Sequence, residues 1–195
     1  MVGPTTFGYQ VSGFGAGGAD LGKLELIQTQ EITSPTAALD FTSIEESTYN
    51  VHFMTFTKQK PETDARVLLV QFSTNGGTSF SSSGYQYAFQ SGRSTGAFFD
   101  NYNTNYAGIR LNGNQGTASN ENSNGYIYFY NLGDSSKNSF VTSHNMSWTR
   151  TPEAEFWFGS GVDPNAQAVN AIRLTPDLST NLDTIIASLY GIKES

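Results

Sequence analysis

Hydrophobic residues along this chain recur every second position rather than every third or fourth, the pattern of strands with one face buried. From Lys23, the positions Leu24, Leu26, Gln28 and Gln30 alternate, and AALDF (37–41) forms a short second run. YNVHFMTFT (49–57) sets Tyr49, Val51 and Phe53 on one face and His52, Met54 and Phe56 on the other. RVLLVQFS (66–73) is apolar on both faces, as a central strand of a sandwich should be. YQYAFQ (85–90), GIRL (108–111), GYIYFYN (125–131), SFVTSHNMSW (139–148), EFWFG (155–159), AVNAIRL (168–174) and TIIASLYGI (184–192) continue the pattern. TNLDTIIASLYG admits a helical reading, but Ile185, Ile186, Tyr190 and Ile192 suit a strand equally well. About ten strands separated by Gly, Asn, Ser and Pro clusters predict an all-β fold, an antiparallel β-sandwich of jelly-roll type. Asn75-Gly76-Gly77 supplies residues that tolerate positive φ and predicts a hairpin turn.

Two stretches break the rhythm. Residues 1–22 form a Gly-rich arm carrying isolated aromatics, Phe7, Tyr9 and Phe14, which a free linker would not need. The arm is expected to anchor the protein on a neighbouring chain, and residues 23–195 to form one sandwich domain. Between Ser91 and Asn124 the chain turns polar, with DNYNTNYAG and LNGNQGTASNENSNG built from Asn, Gly, Ser and Thr. Such residues close local turns through their own side chains, which predicts long loops at one end of the sandwich. Loops on a rigid scaffold often carry recognition.

Composition narrows the possibilities. The 195 residues suit one domain, and the absence of Cys excludes disulfides and thiolate chemistry. Only 14% of residues are charged, and the net charge of −7 argues against nucleic acid as a partner. No apolar run approaches the roughly 18 residues of a membrane span, so no membrane partner is expected. The opening MVGPTTFGYQ lacks the basic-then-apolar order of a secretory signal.

Candidate chemistry is sparse. Gly13-Phe14-Gly15-Ala16-Gly17-Gly18 matches G-x-G-x-x-G in letters, but no strand precedes it and no helix pattern follows, so no nucleotide cofactor is expected. His52 and His144 lack ligand spacing for zinc, and His52 reads as a packed core residue. Asp100, Asn103 and Asn105 fail the EF-hand pattern, leaving a loop calcium of another geometry as the alternative; no metal is expected. Glu153 and Glu155, at i and i+2 of one strand face, have the spacing of a glycosidase carboxylate pair and equally that of a solvated strand edge. Asn145-Met146-Ser147 is a lone glycosylation sequon. Aromatic side chains make the best binding case: Tyr102, Tyr106 and Trp148 are the residues expected to be exposed and able to stack on sugar rings.

The C-terminal stretch VNAIRLTPDLSTNLDTIIASLYGIKES resembles the ending of a family of small β-sandwich virion proteins of tailed bacteriophages, many of them marine. The family's ending runs "N-A-I-R-apolar", a Ser/Asn turn, and a last strand closing in Leu-Tyr-Gly-Ile/Val. FTSIEESTYNVHFMTFTKQKPETDARVLLVQFSTNGGTSF and GYIYFYNLGDSSKNSFVTSH are similar to its internal hairpin signatures, and GFGAGGAD to its glycine-rich start. The chain departs at LTPDLSTNLD, where Pro176 interrupts the usual turn and should reshape the last hairpin. The resemblance implies a non-enzymatic structural protein of the virion with no catalytic residues. It would be a surface decoration or cement protein on the capsid, trimeric, held by its arm to major capsid or tail proteins. The alternative is a tail or fibre module that binds host-surface glycan.

Overall fold

The computed structural model describes residues 23–193 of the chain. The expected anchoring arm, with Phe7, Tyr9 and Phe14, lies outside the described residues. Those residues form twelve strands: β1 (Lys23–Ile32), β2 (Leu39–Phe41), β3 (Val51–Pro61), β4 (Leu68–Ser73), β5 (Tyr85–Arg93), β6 (Phe98–Tyr106), β7 (Ile109–Arg110), β8 (Ser123–Tyr130), β9 (Ser139–Trp148), β10 (Ala154–Asp163), β11 (Ala171–Pro176) and β12 (Leu182–Lys193).

The strands make two antiparallel sheets, one of eight in the order β1-β12-β3-β8-β9-β10-β5-β6 and one of four in the order β2-β11-β4-β7. Eight strands, β1-β12-β3-β8 facing β2-β11-β4-β7, follow the jelly-roll winding, in which the chain crosses from sheet to sheet at each connection. Two hairpins are added to that frame. β5–β6 is inserted between β4 and β7, and β9–β10 between β8 and β11, and both widen the large sheet beyond the small one.

The core lies between the sheets. Phe72 of β4 and Phe129 of β8 meet edge to face across the gap, ring centroids 6.2 Å apart, with Met54, Phe56, Ile127 and Leu189 fully buried nearby. β4 is buried along its whole length, as its doubly apolar sequence predicts. In β3 the inward residues are His52, Met54 and Phe56, while Val51, Phe53 and Thr55 face outward. The ambiguous C-terminal segment is the long strand β12, held between β1 and β3.

Three expectations are corrected. The polar stretch 91–124 is not a set of outward loops: Phe98–Tyr106 is the edge strand β6, paired with β5. Farther along, Asn112 and Gln115 are fully buried: Asn112 Nδ2 donates to Gln59 Oε1 and Gln115 Oε1, and Gln115 Nε2 donates to the Gln59 carbonyl. Ser73 to Gly77 is a tight turn with Gly76 at φ 68° and Gly77 at φ 85°, but it leads from the small sheet to the large one and closes no hairpin. Pro176 ends β11, but there is no last hairpin for it to reshape: the turn after it, with Leu178 and Ser179 at φ 54° and 52°, a conformation residues other than Gly rarely adopt, carries the chain from the small sheet to β12 in the large one.

Candidate functional site

Period-two alternation fixes which side chains the large sheet turns away from the core, and an unusual share of them are aromatic. Cross-strand register places Leu26 of β1 beside Tyr190 of β12, Tyr190 beside Phe53 of β3, and Phe53 beside Tyr128 of β8. Tyr126 of β8 lies opposite His144 of β9, and His144 opposite Phe158 of β10. The rings touch in sequence. Centroid separations are 6.2 Å for Tyr190–Phe53, 6.0 Å for Phe53–Tyr126, 5.9 Å for Tyr126–His144 and 6.4 Å for His144–Phe158.

From Phe158 the row continues to Phe156, stacked at 6.1 Å, and then to Phe98 on β6 at 6.3 Å. Phe156 and Phe98 meet across the intervening strand β5 because Gly92 stands between them; a Cβ there would come within 2.5 Å of Phe156 and 2.9 Å of Phe98. An apolar belt therefore crosses the large sheet from edge to edge. Phe98 is 75% exposed, Leu26 60%, Met146 60% and Phe158 45%. Contiguous exposed apolar surface of this extent marks an interaction site, and aromatic residues and Met are the types enriched in interface centres.

The three residues singled out from the sequence for glycan contact do not come together. Tyr102 of β6 stands on the outer face, 75% exposed, between two shallow troughs whose shared floor includes Ala88. Trp148 is on the same face, but register aligns Tyr102 with Ala88, Ser160 and Thr142, six residues from Trp148 along β9 and thus about 20 Å away. Tyr106 turns inward, edge to face with Tyr87 at 5.6 Å and against the core.

The carboxylate pair is also corrected, in both of its readings. Glu155 is 3% exposed and points inward, and Glu153 precedes the strand. Both turn to one cation: Arg93 Nε lies 3.1 Å from Glu155 Oε1 and Arg93 Nη1 3.5 Å from Glu153 Oε2. A guanidinium between two carboxylates is an ion-pair cluster, neither an acid/base pair nor a solvated edge. Asp100 faces Gln90, while Asn103 Oδ1 accepts from the Asn105 backbone and Asn105 Oδ1 from that of Gly84. These groups do not converge, and no cluster of His, Asp or Glu among the described residues could hold a metal ion.

His52 is fully buried, with its Nε2 2.8 Å from the Ile44 carbonyl, and burial pushes its pKa down. Asn145 of the sequon is buried, its Nδ2 donating to the Leu111 carbonyl, and so cannot carry a glycan in the folded chain. Tyr49 donates to Glu25 Oε2 at 2.6 Å, and that carboxylate holds the phenol's pKa up at about 12.

Sequence reasoning missed the aromatic belt. Its signal is present in GYIYFYN and EFWFG, where aromatics occupy the alternate positions that a solvated face would give to polar residues. No family model matches this chain, and neither a curated protein nor a solved structure does.

Proposed function

We propose that this chain is a non-enzymatic structural protein of a tailed-bacteriophage virion, a decoration or cement protein on the capsid surface. In this reading the outer face of the large sheet seats against a neighbouring virion protein, and the Gly-rich arm adds a second attachment. The observation that carries the reading is the aromatic belt from Leu26 to Phe98, which none of the described residues covers. Low charge also supports it, and the resemblance of the C-terminal stretch VNAIRLTPDLSTNLDTIIASLYGIKES to virion-protein endings implies the same role. A sheet face offers a flat, rigid surface suited to repeated, symmetric attachment. Antibody-gold labelling of purified particles tests the proposal: gold over the heads is expected, and unlabelled intact particles would overturn it.

A second reading, a tail or fibre module that binds host glycan, draws on Tyr102 and its two troughs. Gold confined to tails would favour it.

A further inference from the structure

Beneath the overhang of the large sheet, on the side away from the aromatic belt, lies a polar cavity of about 230 Å³. Its walls come from the inner face of β5, β6 and β10, from β7, and from the segment after β7. Glu155 and Trp157 form its buried wall, 3% and 1% exposed. Each presents a polar atom that no group among the described residues satisfies: Glu155 Oε2, an acceptor, and Trp157 Nε1–H, a donor. A Cβ at Gly113 would stand 1.7 Å from Glu155 Oε2 and 3.1 Å from Trp157 Nε1, so the carboxylate takes the space a side chain there would fill, and only glycine lets both polar atoms converge at this corner. Two guanidiniums flank them. Arg93 binds the other oxygen of Glu155, and Arg110 lies over the Trp157 ring at 4.7 Å. The half-exposed Phe99 ring borders the opening.

Burying a carboxylate oxygen and an indole N–H without partners is costly, so this wall suits a ligand that satisfies both. Charge narrows the class. Arg93 and Arg110 are opposed by Glu153 and Glu155, two charges against two, which gives an anion no net attraction and sets a free carboxylate oxygen against it. The same balance gives a metal cation no net attraction, and an apolar molecule would leave both orphan atoms unpaired. A neutral ligand rich in hydroxyls fits, because each hydroxyl can donate to Glu155 Oε2 and accept from Trp157 Nε1–H or a guanidinium. The cavity holds about eight water volumes, the scale of one ring and not of a chain.

We propose that this cavity binds a single neutral sugar unit, with Glu155 and Trp157 gripping adjacent hydroxyls and Phe99 flanking the ring. The site is separate from the Tyr102 troughs and does not depend on where on a particle the protein sits.

The test is a titration of the ¹⁵N-labelled protein with D-glucose, D-galactose, D-mannose and N-acetyl-D-glucosamine, following the two tryptophan indole N–H resonances. Comparison with Trp148→Phe assigns the Trp157 signal. At least one sugar should shift that signal saturably, with half-saturation on the order of 1–10 mM or tighter. Glu155→Gln should weaken this at least about tenfold. If that variant does not fold, Phe99→Ala, at an exposed edge, should still weaken the response in a protein of unchanged unfolding midpoint. Absence of any saturable Trp157 shift, or a shift that persists undiminished in the folded variants, would overturn the proposal. A shift of the Trp148 signal alone would overturn it as well and locate binding on the outer face.

Discussion

Arg93 Nε donates to Glu155 Oε1 at 3.1 Å, a contact that brings a guanidinium from β5 to a carboxylate 3% exposed beneath the sheet. Once buried, that carboxylate depends on its cation. Arg93→Met is therefore expected to destabilise the fold by about 2–3 kcal/mol, leaving a buried charge unpaired. Replacing both residues, Arg93→Met with Glu155→Met, should recover at least about 1 kcal/mol of that loss. Urea unfolding of the two singles and the double measures the coupling, and simple additivity would argue against it.

Two glycines should fail for different reasons. A Cβ at Gly125 would meet Asn145 Cβ at 2.4 Å and the His144 carbonyl at 2.7 Å, so Gly125→Ala must push β8 from β9 and cost about 1–3 kcal/mol. Gly76 has open space around it but sits at φ 68°, so Gly76→Ala should cost only about 1 kcal/mol through its backbone. Thermal unfolding of both variants checks the order.

His52 links stability to pH. Burial lowers its folded pKa, and protonation would create an Nδ1–H in a place where that atom has no partner among the described residues. The unfolded chain, titrating near the ordinary value of about 6.5, takes up a proton that the folded chain refuses. This contribution is complete above about pH 6.5 and is lost as pH falls from there towards the folded value. The denaturation midpoint should drop between about pH 7 and about pH 5.5, and His52→Gln should flatten that drop. An equal drop in the variant would assign the effect to other groups.

The aromatic belt should matter for attachment more than for folding. Phe98→Ser with Phe158→Ser removes two exposed rings and should change unfolding free energy by less than about 1 kcal/mol. Sedimentation with particles lacking the native protein should show the variant left in the supernatant. Retention at wild-type levels would detach the belt from function.

Strands with clear alternation or continuous apolar runs, such as β3, β4 and β9, were legible in the sequence because burial dictates their period. β6 was not: as an edge strand its side chains are mostly exposed, so Asp100, Asn101, Asn103 and Asn105 carry no core signature and resemble a loop. Tyr106 illustrates a second limit. Its environment depends on a register shift between Tyr85 and Tyr87 that local composition does not encode. Glu155 is a third, since only the fold reveals that Arg93, 62 residues earlier, is there to receive it. The belt was half visible: the aromatic positions could be read, but which face lies away from the core depends on the side of the large sheet against which the small one packs.

Hydroxyl-radical footprinting of the free protein and of the protein on purified phage particles tests the central claim most directly. Phe98, Tyr126, Met146 and Phe158 are expected to lose most of their reactivity on the particle while exposed Leu178, in the turn between β11 and β12, keeps its own. Equal reactivity of the four belt residues in both states would contradict the assignment of the sheet face as the virion contact.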